Sequence, residues 1–445
     1  MRFLIKVVLV NFGVFAVLII ILEGVLATVR PIKPLWSSNS GWRWTDSDYK
    51  AVLISMGIRG PGFWSEHEAN QFGFRGRKIE YVDEDYVVLL VGDSQVEAAA
   101  ASFEELPETI LERYLKTITQ RKVRVFSIGA SGWSQDQQLL ALREYFEQFR
   151  ANLVVLWHTP INDFWENAFP DRLPTPAEMG AGHLKPTFLL DDQQGRQRIE
   201  LFHPPSSKHM ASHILHRSNM GRILLRLAVA LGIFDIRSIQ PNELALRTWL
   251  SLIPPAEGHE TVSQSQCPAE VVSQWKFFAY HYEYTGRVVT IATDEAIEES
   301  RSHLTPFLDP LSLRDQYTIR ITRALVERMK ALAEFNGAEF LVFAPELTFD
   351  GVPFFSEVRC AKKDGKFYRV NSDLLAPMEA WKTSVRVEKL IVEIGYYGLE
   401  SVTVDRRDSV HLNLLGNKLV MEALANRIHS SGWPNSGDVS QHISR

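Results

Sequence analysis

Continuous apolar runs alternate with amphipathic segments along much of this sequence, and the alternation predicts a doubly wound α/β fold. The first and third of the predicted strands are apolar runs typical of strands that are buried in a sheet, and three further strands are predicted from the same alternation. The five predicted strands cover residues 86–91, 123–128, 153–157, 338–344 and 401–404. Helical spacing of apolar residues predicts helices at residues 104–119, 135–149, 311–335, 384–394 and 414–428.

A long interruption of this rhythm divides the sheet-forming sequence in two. Residues 166–300 are rich in proline and too numerous for one loop of a compact domain, so we expect an insertion or cap. The domain that it interrupts is predicted at residues 81–165 and 301–430. An irregular lead-in precedes the domain at residues 30–80, and residues 431–445 are predicted to be a disordered tail.

Two segments carry arginines whose roles the sequence leaves open. A predicted helix at 218–234 has Arg222 and Arg226 on an otherwise apolar pattern. Such a helix either lies on a membrane surface or packs on its own domain as a cap. A glycine-bearing turn at 70–76 carries Arg75, which either pairs with a surface acid or contacts a substrate.

The amino-terminal segment has the character of a membrane anchor. Two basic residues precede residues 7–22, which are largely apolar, and apolar residues resume after Glu23. Spanning a bilayer takes about 20 apolar residues, whereas the apolar part of a signal peptide has about 7–15. We therefore expect residues 1–29 to be an uncleaved anchor, although residues 25–27 resemble a signal-peptide cleavage site. A large domain after such an anchor is expected outside the cytoplasm.

Composition and charge exclude some partners. The formal charge of −5 and the lack of a basic run argue against a nucleic-acid partner. The two cysteines, Cys267 and Cys360, are too far apart for a metal-ligand spacing, so we expect no metal site. No cofactor is expected either. These cysteines either form a disulfide in an oxidising compartment or are two buried thiols.

A candidate nucleophile follows the first predicted strand. Gly92, Asp93 and Ser94 come directly after the apolar run, where a buried strand ends and a turn begins. Ligands of open α/β sheets bind at the carboxyl ends of the strands. A serine at this position can act as a nucleophile if a histidine reaches it.

Candidate partners for Ser94 follow the other predicted strands. Asp408 and His411 come after the last one, so the aspartate can accept the Nδ1 proton while Nε2 takes the proton of Ser94. Gly132 lies in a turn after the second strand and Asn162 follows the third. With the N–H group of Ser94, these two residues are candidates for an oxyanion hole. The plain alternatives are a turn glycine and a helix-capping asparagine.

The order of these motifs resembles that of the SGNH hydrolases, also called GDSL-type esterases and lipases. The four matching blocks are Gly92-Asp93-Ser94, residues 129–132, Asn162-Asp163, and Asp408 with His411. The resemblance covers roughly residues 70–160 and 311–430, and the turn at 70–76 is similar to the stretch before the serine block in anchored bacterial members. It implies a three-layer α/β/α sandwich with a five-stranded parallel sheet, and it implies the catalytic and oxyanion roles given above.

Three positions depart from the pattern of the family. Gln95 stands at the place of the leucine in the name GDSL, and Ser127 stands where the second block often has asparagine. Pro160 replaces the usual glycine of the third block. Proline restricts the backbone and has no N–H group, so it affects the expected geometry beside Asn162.

The resemblance predicts an extracytoplasmic serine esterase. The expected substrates are acyl esters, above all acetyl esters on cell-surface or exported polysaccharide. Trp133 and Trp165 flank the motif turns and are candidates for stacking on sugar rings, although tryptophans beside a sheet are usually core residues. One alternative is an O-acyltransferase with the same triad, in which the insertion excludes water. Another is a non-catalytic scaffold in envelope polysaccharide assembly.

Overall fold

The computed structural model describes most of the chain but not all of it. The described residues are 2–29, 67–119, 121–130, 132–170, 187–193, 196–202, 218–231, 233, 248–266, 305–349, 352–353, 360–363, 366–371, 373, 375–394, 397, 399–405 and 408–433. Most of the predicted lead-in and of the predicted tail therefore lies outside the described residues.

The chain divides into two compact units. The smaller unit comprises Met1–Trp42, Asp171–Lys185 and His203–Ser251, and the larger unit comprises Arg43–Pro170, Pro186–Phe202 and Leu252–Arg445. The boundaries that the sequence suggests for the insertion, 166–300, stay a prediction.

Both units contain helices, and the strands belong to the larger unit. In chain order, the α-helices of the described residues are α1 (Arg2–Val29), α2 (Ser94–Glu97), α3 (Pro107–Thr119), α4 (Gln135–Phe149), α5 (Pro160–Asn167), α6 (Asn219–Ala230), α7 (Leu313–Phe335), α8 (Ala376–Glu379), α9 (Leu399–Val402) and α10 (Leu414–Ser430). The strands are β1 (Tyr86–Gly92), β2 (Val123–Gly129), β3 (Leu153–Trp157), β4 (Phe188–Gln193), β5 (Arg196–Leu201), β6 (Thr261–Val262), β7 (Leu308–Asp309), β8 (Glu339–Phe349), β9 (Val352–Pro353), β10 (Cys360–Lys363), β11 (Lys366–Val370), β12 (Val387–Glu393), β13 (Thr403–Asp405) and β14 (Asp408–Leu412).

Five parallel strands form the central sheet of the larger unit, which confirms the predicted α/β class. Their order across the sheet is β12-β8-β3-β1-β2, and β9 adds a short antiparallel pairing to the end of β8. The chain passes from β1 to its neighbour β2 on one side and then to β3 on the other side of β1. This reversal makes the carboxyl end of β1 a topological switch point, where open sheets of this kind bind ligands.

Helices pack on both faces of the sheet because the strands are apolar on both sides. On one face, α3 and α10 share a buried core with Val88 and Leu90 of β1. On the other face, Phe126 of β2 lies 6.2 Å from the ring of Phe149 in α4. Successive residues of a strand point to opposite faces, so the continuous apolar runs supply both cores.

The fifth parallel strand differs from the sequence prediction. It is β12, where the sequence predicts a helix at 384–394, and the strand predicted at 401–404 is wrong as a member of this sheet. Residues 403–405 instead form β13, which pairs antiparallel with β14. Leu390 and Val392 are buried while Ile391 between them is exposed. This alternation is typical of an edge strand with one buried face. The β12 segment contains too few apolar residues for its sequence to predict a strand that is buried on both faces.

Segments that lie between the central strands in the sequence form smaller antiparallel pairings. β4 and β5 form a hairpin, and β10, β11 and β6 form a sheet that β7 joins through β11. Cys360, the first residue of β10, is disulfide-bonded, and the sequence has only one other cysteine. The Sγ atom of Cys360 lies 4.0 Å from the carbonyl oxygen of Gln266, the residue before Cys267. The disulfide alternative of the sequence is thus the correct one.

The smaller unit contains α1 and α6. Helix α1 has 28 residues, and α6 begins close to the predicted start of the arginine-bearing helix but ends earlier. Within the part of the chain that the structure describes, no helix was found to be both long enough and apolar enough to cross a membrane. The predicted anchor stays a prediction from the sequence.

Candidate active site

Ser94 lies at the switch point of the sheet, on the first turn after β1. Asp93 caps the short helix α2, since its Oδ1 atom accepts a hydrogen bond of 2.9 Å from the N–H group of Gln95. Helix α2 therefore begins at Ser94 itself, and the serine is held where the buried strand ends. The residue is 7% exposed.

Two glycines allow α2 to sit directly on the ends of the strands. A Cβ atom added to Gly92 would lie 2.4 Å from Cγ2 of Val96, and one added to Gly129 would lie 2.8 Å from Cβ of Val96. Gly92 and Gly129 are register partners at the ends of β1 and β2. Any side chain at either position would push α2, and Ser94 with it, away from the sheet.

His411 reaches Ser94 from the far end of the chain. Its Nε2 atom lies 2.8 Å from Oγ of Ser94, although the two residues are 317 positions apart. A second contact joins the same two segments, because the N–H group of Leu412 donates a hydrogen bond of 3.4 Å to Oε1 of Gln95. The departure at Gln95 from the family pattern therefore has a structural role that leucine could not fill.

The strand that carries His411 is fixed by the start of α10. Asn413 caps this helix by accepting a 2.9 Å hydrogen bond from the N–H group of Leu415, and its Nδ2 atom donates one of 2.7 Å to the carbonyl of Thr403. A Cβ atom on Gly416 would lie 2.2 Å from the carbonyl oxygen of Val402, so only glycine allows this approach. The β13–β14 pair is thus tied to α10, and His411 is placed by backbone contacts.

Asp408 lies in β14, three positions before His411, and its backbone pairs with Asp405 of β13. The side chain of Asp408 is not among the described ones. Its predicted role as the residue that orients His411 stays a prediction.

The candidate oxyanion residues follow the two strands beside β1. Gly132 follows β2 and has a φ of 73°, a left-handed conformation that glycine adopts without strain. Asn162 lies in the first turn of α5, directly after β3. Its side chain is not among the described ones, so its predicted role also stays a prediction. The carboxyl ends of β2, β1 and β3 are adjacent, which brings all three backbone segments to one edge of the sheet.

Pro160 is compatible with this arrangement. It occupies the first position of α5, where a helix has no intrahelical partner for the N–H group and where a φ near −65° fits. The replacement of the family's glycine therefore costs no hydrogen bond.

A buried polar cluster lies near Asp93, the residue that precedes Ser94. The Oδ2 atom of Asp163 accepts hydrogen bonds of 2.6 Å from Gln135 and 2.8 Å from the N–H group of Thr159, and it lies 2.8 Å from Nδ1 of His158. Burial raises the pKa of the nearby Asp93, and the negative charge of Asp163 acts in the same direction. Asp93 is therefore protonated at a higher pH than an ordinary aspartate, which limits the negative charge beside Ser94.

Arg75 has a role that goes beyond the two predicted from the sequence, an ion pair with a surface acid or a contact with a substrate. It lies 3.7 Å from Glu68, as the ion-pair alternative predicts, but its side chain is buried. Nη1 donates to the carbonyl oxygens of Glu97, at 3.3 Å, and of Ala98, and Nη2 donates to the carbonyl of Ala101 at 2.6 Å. These carbonyls end α2 and continue the turn after it. Arg75 thus holds the carboxyl end of the helix whose first residue is Ser94.

The two tryptophans beside the motif turns are core residues. Trp133 is completely buried and Trp165 nearly so. Neither ring offers a face to a sugar, so the stacking role considered for them is wrong.

No family model matches this sequence, and no curated protein matches it. The resemblance to the SGNH hydrolases therefore depends on the four sequence blocks.

Proposed function

We propose that this protein is a serine hydrolase that cleaves acyl esters, with Ser94 as the nucleophile and His411 as the general base. One observation carries the proposal, the 2.8 Å contact between Oγ of Ser94 and Nε2 of His411 at the switch point of a parallel sheet. A hydroxyl group within hydrogen-bonding distance of an imidazole nitrogen is the arrangement that activates a serine for attack on a carbonyl.

The chemistry follows from this contact. Nε2 of His411 takes the proton of Ser94 as Oγ forms a bond to the ester carbonyl carbon. The resulting oxyanion is stabilised by the N–H group of Ser94, with Gly132 and Asn162 as the proposed further donors. His411 then gives the proton to the leaving alcohol as the ester C–O bond breaks. Water repeats the sequence on the acyl-enzyme, and Asp408 is proposed to orient His411 throughout.

Two observations support the proposed substrate class and location. Ser94 is largely buried, which favours a short acyl group such as acetyl. The disulfide of Cys360 fits an oxidising compartment, where cell-surface and exported polysaccharides are also found. Acetyl esters on such polymers are therefore our proposed substrates, with the protein held at the membrane by the predicted anchor. Helices on both faces of the sheet support the three-layer arrangement that the family resemblance implies.

A single set of assays tests this proposal. The full chain in detergent is incubated with 4-nitrophenyl acetate and longer acyl homologues, and then with acetylated oligosaccharides. Turnover that is fastest for acetyl, together with labelling of Ser94 by a fluorophosphonate, is the expected result. Folded protein that shows neither turnover nor labelling would refute the proposal. Acetylated oligosaccharide products formed from an added acceptor would show that the protein is an O-acyltransferase instead.

The role proposed for Asn162 gives a prediction that separates binding from catalysis. Asn162→Ala should lower kcat for aryl acetate by about 10²–10³-fold, as the loss of one oxyanion donor does. KM should change much less, since the charge develops only in the transition state. Pro160→Gly, in the same turn, is the matched control and should have a mild effect because proline has no N–H group to lose. A strong effect of Pro160→Gly beside a near-normal Asn162→Ala would contradict this role.

The contacts of Arg75 predict that its substitution displaces Ser94 without weakening the binding of the substrate. Arg75→Ala should lower kcat by about 10²-fold, because a displacement of about 1 Å in a catalytic group has an effect of this size. KM for a small aryl ester should change little. Labelling of Ser94 by fluorophosphonate should slow to the same extent as kcat.

Arg77 provides the control for Arg75. It lies two positions later and pairs with Glu112 at 2.7 Å, and its described contacts do not include α2. Arg77→Ala should therefore lower the thermal midpoint without slowing the labelling of Ser94. Equal losses of kcat in the two variants, at equal losses of stability, would show that Arg75 acts only on the stability of the fold.

A further inference from the structure

Glu23 joins two helices of the smaller unit that are far apart in the sequence. Its Oε1 atom accepts two hydrogen bonds from Asn219, one of 2.6 Å from the backbone N–H group and one of 2.9 Å from the side-chain amide. Its Oε2 atom accepts a bond of 2.8 Å from the N–H group of Met220. N–H groups in the first turn of a helix have no intrahelical partner, and a carboxylate is favourable there. Glu23 of α1 is therefore the cap of α6.

This contact explains why an acid occurs in an otherwise apolar helix. A charged side chain within apolar surroundings is costly unless hydrogen bonds or an opposite charge compensate it. Here three hydrogen bonds from the start of α6 compensate the carboxylate. Helix α6 is consequently fastened to α1 and has to share the surroundings of that helix.

Both helices expose large apolar side chains. On α1, Val14, Val17, Leu18, Ile20 and Ile21 are each more than half exposed. On α6 and just after it, Leu224, Leu227 and Leu231 are more than half exposed. The spacing of three and four positions places these three leucines on one stripe of the helix. Exposed apolar surface on two joined helices marks a site that contacts a membrane or another protein.

The other side of α6 is basic. Arg222 and Arg226 are four positions apart and therefore lie on one line along the helix. At 100° per residue, this line is roughly opposite the leucine stripe. Helices with leucines on one face and arginines on another lie in the interface of a bilayer, with the apolar face toward the acyl chains. Anionic headgroups complement the arginines.

We propose that α6 is a lipid-binding helix that Glu23 fastens to α1. The leucine stripe contacts the acyl chains of a bilayer, and Arg222 and Arg226 bind the phosphates of its headgroups. Neither helix has to cross the bilayer for this contact. The role of the arginine-bearing helix that the sequence left open is thereby assigned to the membrane surface. This assignment is independent of ester hydrolysis.

The test measures where α6 lies when the full chain is bound to vesicles of phosphatidylcholine and phosphatidylglycerol. Leu227→Cys and Arg226→Cys are each labelled with an environment-sensitive fluorophore, without reduction of the native disulfide. The label at 227 should be quenched by brominated acyl chains, and the label at 226 should be quenched more by iodide in the water. Equal access of iodide to both labels would overturn the proposal. Leu224→Cys repeats the test if the variant at 227 does not fold.

A second variant tests the link through Glu23. Glu23→Ala should leave the chain bound to the vesicles through α1 but reduce the quenching of the label at 227 by brominated lipid severalfold. Circular dichroism and the thermal midpoint serve as measures of folding. If quenching at 227 is unchanged in a folded Glu23→Ala protein, α6 does not depend on Glu23 for its place and the proposed link is wrong.

Discussion

Ser94→Ala is expected to lower kcat for aryl acetate by about 10⁶-fold if Ser94 is the proposed nucleophile, since removal of the nucleophilic serine of a serine protease causes a loss of this size. In the proposed mechanism the variant lacks the atom that attacks the carbonyl, so only stabilisation of the oxyanion remains. The fold should be intact, since the Ser94 side chain is small and its described contact is with His411. Steady-state turnover and circular dichroism, measured on the same preparation, provide the check.

A second buried serine serves as the control for this experiment. Ser127 also lies near the end of a strand, and its hydroxyl group donates a 2.7 Å hydrogen bond to Glu108. Ser127→Ala removes a hydroxyl group of the same size and should lower the thermal midpoint with little effect on kcat. Residual activity in Ser94→Ala that matches Ser127→Ala would refute the assignment of the nucleophile.

His411→Ala should cause a loss as large as that of Ser94→Ala. Without the imidazole, the hydroxyl group of Ser94 keeps its proton and remains a weak nucleophile. The double variant should be no less active than either single one, because groups that act as one unit are not additive. Kinetics of the three proteins on one aryl ester measure this directly. If the losses of activation free energy in the two single variants add up in the double variant, the two residues act separately. The control for the substitution itself is His429→Ala, which changes an exposed histidine late in α10.

The first three strands were predictable because each is buried on both faces. The runs at 86–91, 123–128 and 153–157 agree with β1, β2 and β3 to within one residue. A strand between two layers of helices leaves a continuous apolar run, which few other structures produce. Strand β12 lies at the edge of the sheet and exposes alternate residues, so its seven residues include charged ones. The sequence therefore predicts a helix at 384–394 in place of this strand.

The candidate site also has a part that the sequence predicts and a part that it does not. Ser94 and His411 were found because their residue types and their places after predicted strands have chemical meaning. The sequence does not predict the roles of Gln95 and Arg75, because both side chains act on backbone groups, namely the N–H group of Leu412 and the carbonyls after α2. Every residue has such groups, so the sequence contains no sign of which ones a side chain will reach.

The three carbonyl contacts of Arg75 also determine how the chain can be shortened. A truncated protein that begins at Tyr86 would retain the five parallel strands together with Ser94 and His411. It would lack the guanidinium group that holds the carbonyls of Glu97, Ala98 and Ala101. Expression boundaries chosen from the sheet alone would thus yield a scaffold in which the turn that carries Ser94 is loosened. A useful fragment has to include Arg75.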